Sequence, residues 1–237
     1  FLINMKSVIL AGGLGTRLKP FTDILPKPLL PLGNKSLMEI QIENLKLSGF
    51  NDIYIATNYK SEMVKSYLGN GEKYGVKLHF SEEKIRLGTC GPVKLLEEEL
   101  TEPFLLVNGD ILTQFDFSKI LHFSKIYEAS PLTIGTKIIT TPFRFGTIES
   151  KGNFLINVQE KPDFNFEILA GIYVLKPSVF DFIPKEECFG IDQLIQKLLL
   201  INIPITKYLI KDYWLDIGVV EDYEKARNIY KEKFNDL

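Results

Sequence analysis

Apolar and polar positions along the first half of the chain fall into blocks that predict strands and helices in turn. Residues 7–10 form a short apolar run that is typical of a buried strand. Residues 36–48 carry apolar side chains at helical spacing and are followed by Gly49, which favours an amphipathic helix with a glycine stop. The pattern continues with predicted strands over 52–57, 76–81 and 104–108, and with predicted helices over 61–68 and 92–100.

The second half of the chain is less regular. Its strand-like runs cover 132–139, 146–150, 154–159 and 169–175, and its helical runs cover 192–201 and 222–233. Strands separated by helical segments predict a parallel sheet, and ligands of such sheets lie beyond the carboxyl ends of the strands. We therefore predict an α/β fold: one Rossmann-like three-layer domain with a mostly parallel mixed sheet.

Composition narrows the class of protein. The chain has 237 residues, is 45% hydrophobic and has a formal net charge of -2, so no broad basic surface indicates nucleic-acid binding. No apolar run approaches the roughly 20 residues that span a bilayer. The two cysteines, Cys90 and Cys188, are far apart and form no metal-type cluster. We expect a cytoplasmic protein with no nucleic-acid or membrane partner.

The strongest chemical signal lies in residues 10–31. Three glycines crowd into positions 12–15 directly after the first predicted strand, and such a loop offers main-chain N–H groups to an anion. Arg17 and Lys27 add two cations, as a nucleoside triphosphate requires. The P-loop pattern fails because no Gly-Lys-Ser/Thr closes the loop, and the dinucleotide pattern fails because Leu18 occupies the third glycine position. A simple strand-to-helix turn is the alternative, but it explains neither cation.

This stretch resembles the motif G-G-x-G-T-R-L-x-P-x-T-x-x-x-P-K-P of the sugar-1-phosphate nucleotidylyltransferases, also called NDP-sugar pyrophosphorylases. The resemblance implies a nucleotide-diphospho-sugar transferase fold and Mg²⁺-dependent transfer of a nucleotidyl group from an NTP to a sugar 1-phosphate, with release of pyrophosphate. It implies catalytic roles for Arg17 and Lys27. The nucleotide contacts that it implies in this loop are Leu10, Ala11, Gly12, Gly13, Gly15 and Thr16.

A second segment concerns the base. Leu87, Gly88 and Thr89 open a run that resembles the L-G-T-A-G segment of the family, above all of its GDP-mannose pyrophosphorylases, where it forms part of the base pocket. Glu83 stands four residues before Leu87. A carboxylate accepts both the N1–H and the 2-amino donors of guanine, whereas uridylyl and thymidylyl relatives carry Gln there. The residues therefore favour GTP; the alternative is a solvated charge run over 82–84.

Two aspartates could hold Mg²⁺. Asp110 follows the apolar strand predicted at 104–108, where a carboxylate can bind the metal against triphosphate oxygens, although a turn or cap is the simpler role. The resemblance makes Asp110 a metal ligand and places Asn108 and Gly109 near the sugar phosphate. Residues 214–218 resemble the family's W-x-D-x-G, which makes Asp216 the second metal carboxylate.

The sugar side also rests on the resemblance. Residues 158–162 match V-x-E-K-P, which makes Lys161 the catalytic clamp on the sugar phosphate and Glu160 a contact to sugar hydroxyls. Gly146 and Gly171 fall in the family's Tyr-Gly and N-A-G-I/M-Y segments. Phe145 replaces the usual Tyr and Leu169 the usual Asn, so the sugar stays open among mannose, a heptose and glucosamine 1-phosphate.

These segments divide the chain into a nucleotide-binding part at about 5–130, a sugar-phosphate part at about 131–221 and a terminal helix at 222–235. A UTP- or dTTP-dependent glucose-1-phosphate enzyme is the nearest alternative, and a non-catalytic nucleotide-sugar-binding regulatory module is the alternative of another class. The four residues before Met5 are expected to be a cloning remnant or the end of an upstream region, such as the paired CBS domains of some relatives. Homo-oligomerisation is left open.

Overall fold

Strands and helices alternate through residues 5–233, which are the part of the chain described by the computed structural model. The strands are β1 (Met5–Leu10), β2 (Phe50–Thr57), β3 (Lys77–Glu82), β4 (Phe104–Asn108), β5 (Ile111–Thr113), β6 (Leu132–Pro142), β7 (Thr147–Lys151), β8 (Phe154–Gln159), β9 (Asp163–Leu175), β10 (Ile205–Leu209) and β11 (Trp214–Asp216). The α-helices are α1 (Phe21–Ile24), α2 (Leu37–Leu47), α3 (Ser61–Leu68), α4 (Gly91–Lys94), α5 (Ser118–Ile126), α6 (Ile191–Leu200) and α7 (Val220–Lys233). The residues before Met5 and the predicted end of the terminal helix at 234–235 lie outside the described residues.

Seven strands form the main sheet, in the order β10-β6-β9-β4-β1-β2-β3. The four strands β1 to β4 are parallel to their neighbours in this group, and β9 runs antiparallel to both β4 and β6. The predicted α/β fold with a mostly parallel mixed sheet is therefore confirmed. Because β1 and β4 are adjacent and parallel, with Leu10 opposite Asn108, the loops that follow them leave the same edge of the sheet.

The core has an apolar layer on each face of the sheet. Along β1, Val8 packs in one cluster with Leu194 of α6, while Ile9 packs in the other with Ile42 of α2. Neighbouring strand residues point to opposite faces, so the sheet is covered on both sides as the three-layer prediction requires. The helix α2 begins with a capping box, in which Glu39 N donates to Ser36 Oγ and Ser36 N donates to Glu39 Oε2.

Two predicted elements are wrong in extent: the strand expected over 169–175 begins at Asp163, and one predicted helix is much shorter than expected. The helix expected over 92–100 is confined to Gly91–Lys94, and the chain continues through turns to Leu100. Three consecutive glutamates follow at 97–99, and carboxylates are unfavourable at the negative end of a helix. The strands β5, β10 and β11 and the helices α1 and α5 were not predicted.

Part of the antiparallel pair β6–β9 projects from the main sheet. The strand β10 pairs with β6 only at residues 132–136, and β4 pairs with β9 only at 172–175. Residues 137–142 and 163–169 therefore continue outward as a two-stranded ribbon, and the β7–β8 hairpin joins its tip as a separate two-stranded sheet. We call residues 137–169 the arm. Within 5–233, no helix has both the length and the apolarity to cross a membrane.

Candidate active site

The glycine loop after β1 is anchored at both ends. Ala11 N donates to the Ala56 carbonyl at 2.8 Å, and the Thr22 hydroxyl donates to the Gly15 carbonyl at 2.8 Å. Gly15 has a φ of +64°, a conformation that favours glycine. By contrast, a Cβ on Gly13 would meet no atom within 4 Å. The middle of the loop is thus open to a ligand, as an anion cradle requires.

Two cations line the cleft beside this loop. The Lys27 Nζ lies 2.6 Å from Asp110 Oδ2, and the Lys27 side chain is only 13% exposed. A Cβ placed on Gly218 would lie 3.4 Å from Arg17 Nη2 and 3.6 Å from Asp216 Oδ2. The arginine and Asp216 therefore flank Gly218, so the structure brings both predicted cations to the two predicted carboxylates.

The short strands β5 and β11 bring the two aspartates together. They pair antiparallel, with Asp216 opposite Ile111, and Ile217 N donates to the Asp110 carbonyl at 2.9 Å. Burial, and then the nearby Asp110 carboxylate, raise the pKa of Asp216 above its ordinary range. Asp110 Oδ1 is buried and has no hydrogen-bond partner among the described residues. An acceptor left unpaired between a second carboxylate and a lysine is a suitable ligand for a hard divalent cation.

Two adjoining clefts lie at this edge of the sheet. The first, of about 330 Å³, contains the loop, Arg17, Lys27, Asp110 and Gly218. The second, of about 270 Å³, contains Glu83, Thr89 and Asn108 among its lining residues. Both clefts are lined by Leu10, Gly13, Arg86 and Asp110. One elongated ligand could therefore extend from the cationic cleft into the second cleft.

Glu83 is one of the residues that line the second cleft. Its side chain is buried, Oε2 accepts a hydrogen bond from Leu87 N at 2.8 Å, and Oε1 lies against Gly12, where a Cβ would be 2.8 Å away. Burial raises the pKa of this carboxyl. The neighbouring Glu82 is exposed and pairs with Lys65 at 2.8 Å. The two glutamates therefore differ in environment. The alternative of a solvated charge run fits Glu82 but not the buried Glu83.

The segment 87–91 is held by a part of the chain about a hundred residues away. Phe189 N donates to the Leu87 carbonyl, and Cys90 N donates to the Phe189 carbonyl, both at 2.9 Å. Ile191 N donates to the Thr89 hydroxyl at 2.6 Å. Gly88 has a φ of +80°, and a Cβ there would lie 2.7 Å from the Phe189 carbonyl oxygen. The backbone of this wall is therefore fixed by contacts from the start of α6.

The predicted sugar-side residues fall into two groups. Asn108 lines the second cleft, and a Cβ on Gly171 would lie 2.7 Å from its Nδ2. Gly146 and Glu160 are also neighbours, since a Cβ on Gly146 would lie 2.9 Å from Glu160 Oε2. They lie on the arm with Lys161, which has a φ of +45°. Among the described lining residues of the two clefts, none belongs to this second group.

Sequence reasoning missed Arg86. Arg86 lines both clefts, and its charge acts on the Glu83 carboxyl, whose pKa it lowers against the larger effect of burial. The available signal was its position, three residues after Glu83 and one before the Leu-Gly-Thr segment. Gly218 was present in the W-x-D-x-G match but received no role, although it lines the first cleft and lies next to the side chains of Arg17 and Asp216.

The chain is similar to a known family over almost its whole length. The family model described as "Nucleotidyl transferase" matches residues 6–233. Mannose-1-phosphate guanyltransferases of Candida albicans and Yarrowia lipolytica are 36% and 37% identical to the chain over 95% of its length. The chain spans 64% of the length of each of these curated relatives.

A solved structure extends the agreement to three dimensions. HddC from Yersinia pseudotuberculosis is 26% identical and superposes with a TM-score of 0.75, covering 95% of this chain and 99% of that one. The same protein has been solved in complex with GMP-PN, and that structure gives a TM-score of 0.72. The family match over nearly the whole chain confirms the resemblance seen in the motifs, and the chain therefore belongs to the nucleotidyl transferase family.

Proposed function

We propose that this chain transfers the guanylyl group of GTP to a sugar 1-phosphate, giving a GDP-sugar and pyrophosphate. The observation that carries the choice of GTP is the buried Glu83 carboxylate in the second cleft. Its Oε1 lies at the glycine loop, and its acceptors match the paired donors of guanine. The names of the two yeast relatives and the GMP-PN complex of HddC support a guanine nucleotide and, for the yeast relatives, mannose 1-phosphate.

The triphosphate occupies the first cleft in this proposal. The N–H groups of the glycine loop, with Arg17 and Lys27, neutralise the phosphates, and Arg17 stabilises the pyrophosphate as it leaves. An oxygen of the sugar phosphate attacks the α-phosphorus in line with the leaving pyrophosphate. The reaction requires no covalent enzyme intermediate. Catalysis is then positioning plus charge neutralisation, as in other phosphoryl chemistry.

The residues present fit Mg²⁺ at the Asp110–Asp216 pair. Mg²⁺ binds through one or two carboxylates together with substrate phosphates, and the unpaired Oδ1 of Asp110 supplies a buried oxygen beside Asp216. When bound, the ion neutralises charge on the phosphate oxygens. Lys27 already holds Asp110 at 2.6 Å, so its ammonium fixes the orientation of that carboxylate.

Lys161 and Glu160 hold the sugar phosphate in this proposal. Both lie beside Gly146 where the β7–β8 hairpin joins the tip of the ribbon, outside the lining of the two clefts described above. A sugar phosphate that reaches the α-phosphorus from this side would extend from the clefts toward the arm. Phe145 stands where the family carries Tyr, so this chain lacks one hydroxyl near the sugar. The remaining contacts then determine which sugar is preferred.

The test is pyrophosphate release with Mg²⁺ over a grid of GTP, ATP, UTP, dTTP and CTP against mannose, glucose, glucosamine and heptose 1-phosphates. We expect activity with GTP and mannose 1-phosphate. Activity confined to UTP or dTTP would keep the transferase reaction and discard the Glu83 argument. No activity with any pair, in a protein that still binds GDP-sugars, would favour the regulatory module instead.

A further inference from the structure

A buried amide on α2 contacts both ends of the turn that carries Asp110. Gln41 is 3% exposed, and its Nε2 donates to the Asn108 carbonyl at 2.7 Å and to the Ile111 carbonyl at 3.1 Å. These two carbonyls lie on either side of Gly109 and Asp110 in the chain. One side chain therefore spans the whole turn between β4 and β5.

The orientation of this amide follows from its partners. A primary amide has two N–H donors on its nitrogen and only acceptors on its oxygen. The reverse orientation would place Gln41 Oε1 against two carbonyl oxygens, so the nitrogen faces the turn and uses both of its donors there. Gln41 Oε1 is buried and has no hydrogen-bond partner among the described residues. An unsatisfied buried acceptor is unfavourable, so stability alone does not explain an amide at this position.

The rest of the turn is held from other parts of the sheet. Gly109 N donates to the Leu10 carbonyl at 2.8 Å, and Ile217 N donates to the Asp110 carbonyl at 2.9 Å. The first contact comes from the end of β1 and the second from the residue after β11. Together with Gln41 on α2, they fix the backbone that carries the Asp110 carboxylate.

A fixed backbone matters here because the unpaired Oδ1 of Asp110 is the oxygen that we propose for Mg²⁺. This ion requires near-ideal octahedral geometry, with its ligands at about 2.0–2.1 Å. Removing a group that orients a metal ligand typically lowers metal affinity or activity by about 10- to 100-fold. Gln41 is absent from the described lining of the two clefts, so it acts through the turn and not by contact with a substrate.

Asn44 makes a contact of the same kind one helical turn further along α2. Its Nδ2 donates to the Thr113 carbonyl at 3.2 Å and to the Phe115 carbonyl at 3.3 Å. Residues three apart on a helix share a face, so the two amides approach the chain after β4 from the same side. Gln41 spans a proposed metal ligand, whereas Asn44 spans a part of the chain with no proposed role in the site.

We propose that Gln41 is a positioning residue for the metal site. Its two hydrogen bonds set the place of the Asp110 carboxylate and, through it, the affinity of the site for a divalent cation. The proposal rests on the Mg²⁺-dependent reaction proposed above, and it adds a residue that contacts neither the substrates nor the ion.

Titration with Mn²⁺, followed by the electron paramagnetic resonance signal of the free ion, tests this proposal without turnover. Gln41→Met keeps a side chain of similar length but loses both donors, so the dissociation constant for Mn²⁺ should rise by about 10- to 100-fold. Asn44→Leu is the matched control, because it also loses two donors to backbone carbonyls, and it should leave this constant unchanged. Asp110→Asn removes the ligand itself and gives the limit of weak binding.

Two further measurements separate positioning from a general loss of stability. The Mg²⁺ concentration for half-maximal pyrophosphate release should rise in Gln41→Met and keep the parental value in Asn44→Leu. Both variants lose two hydrogen bonds, so the midpoint of urea unfolding should fall in both. Gln41→Asn keeps the amide on a shorter side chain that cannot span both carbonyls. It should weaken Mn²⁺ binding in the same direction, and it replaces Gln41→Met if that variant fails to fold.

Three outcomes would overturn the proposal. Gln41→Met could bind Mn²⁺ as tightly as the parent, Asn44→Leu could weaken binding as much as Gln41→Met, or the parent could bind Mn²⁺ no more tightly than Asp110→Asn. A parent that is inactive with every pair of substrates would instead overturn the proposed function. The Mn²⁺ titration would still decide the role of Gln41 in that case, because it needs no reaction.

Discussion

The ammonium of Lys27 and the carboxylate of Asp110 meet at 2.6 Å between the end of β4 and the segment that follows the glycine loop. Asp110 Oδ1 has no hydrogen-bond partner among the described residues, so the lysine satisfies one oxygen and leaves the other for a ligand. This division of one carboxylate between a fixed cation and an open position connects the cationic cleft with the metal site that we propose.

Lys27→Ala should lower guanylyl transfer by about 10²–10³, because the variant loses a cation at the phosphates and frees the Asp110 carboxylate to rotate. Steady-state pyrophosphate release with the preferred NTP and sugar 1-phosphate measures this. Lys35→Ala is the control, since Lys35 makes an ion pair of similar burial with Glu43 at 2.7 Å, outside the lining of both clefts. Equal losses in the two variants would show that the effect comes from stability and would contradict the role of Lys27.

Asp216→Asn should separate stability from activity. The half-buried Asp216 carboxylate lies near Asp110, so replacing it with a neutral side chain removes a partly desolvated charge and a like-charge interaction and should raise the unfolding temperature without Mg²⁺. Transfer should fall by about 10²–10³, because a metal ligand is lost. The rise in unfolding temperature that Mg²⁺ and GTP give to the parent should also disappear. Asp181→Asn is the control, because Asp181 is exposed, and it should change none of these quantities. If Asp216→Asn is still stabilised by Mg²⁺ and GTP as the parent is, Asp216 is not a metal ligand.

Local signals in the sequence were sufficient to predict the elements around the glycine loop. The strand β1, the glycine loop and the helix α2 were predicted because apolar periodicity and glycine act over a few neighbouring residues. The proximity of Asp110 and Asp216 could not be predicted from the residues, because it depends on two three-residue strands about a hundred positions apart that pair only with each other. Such short strands have no periodicity of their own.

The projection of the arm also could not be predicted from local sequence. Its strands were predicted, but β9 is 13 residues long and its first half leaves the main sheet, which no composition signal marks. Arg86 was missed because a single arginine in a polar stretch is normally a solvated residue. Its position beside both clefts depends on the tertiary fold.

Substitution by alanine should lower stability at one glycine of the site and activity at another. A Cβ on Gly109 would lie 2.5 Å from the Leu10 carbonyl oxygen, so Gly109→Ala must shift the β1 or β4 backbone and should lower the free energy of unfolding by about 1–3 kcal/mol. Gly13→Ala meets no atom, so stability should stay within about 0.5 kcal/mol while transfer falls, because the methyl group fills the cleft. Urea unfolding and steady-state kinetics measure both. A Gly13→Ala variant with normal transfer would mean that the phosphates do not approach this part of the loop.

Arg86→Ala should raise the KM for GTP roughly tenfold with a smaller change in kcat, since an exposed guanidinium that bonds a charged ligand contributes about 1.5 kcal/mol. Arg86 lines both clefts, so we expect its guanidinium to contact the nucleotide where the base and phosphate ends join. Lys84→Ala removes an exposed cation two residues away and serves as the control. If the two variants raise KM equally, the effect is one of general charge and Arg86 has no special position.

Glu83→Gln should change both the base preference and its pH dependence. The amide keeps an acceptor for Leu87 N but presents a donor to guanine, so the ratio of kcat/KM for GTP over UTP should fall by roughly 10- to 100-fold. Glu82→Gln alters the exposed neighbour that pairs with Lys65 and should leave this ratio unchanged. If the ratio for Glu83→Gln equals that of the parent, the carboxylate does not recognise the base.

The pH dependence follows from the burial of Glu83, which raises the pKa of its carboxyl. Guanine is recognised by the ionised form, and protonation begins at a higher pH than for a solvated glutamate, so the KM for GTP should rise as pH falls through this raised pKa. The folded state also binds this proton more tightly than the unfolded chain, so the free energy of unfolding should decrease as pH rises between the ordinary and the raised pKa. Glu83→Gln should lose both dependences in that window, whereas Glu82→Gln should retain them. Parallel KM profiles for the parent and Glu83→Gln would assign the acid limb to another group.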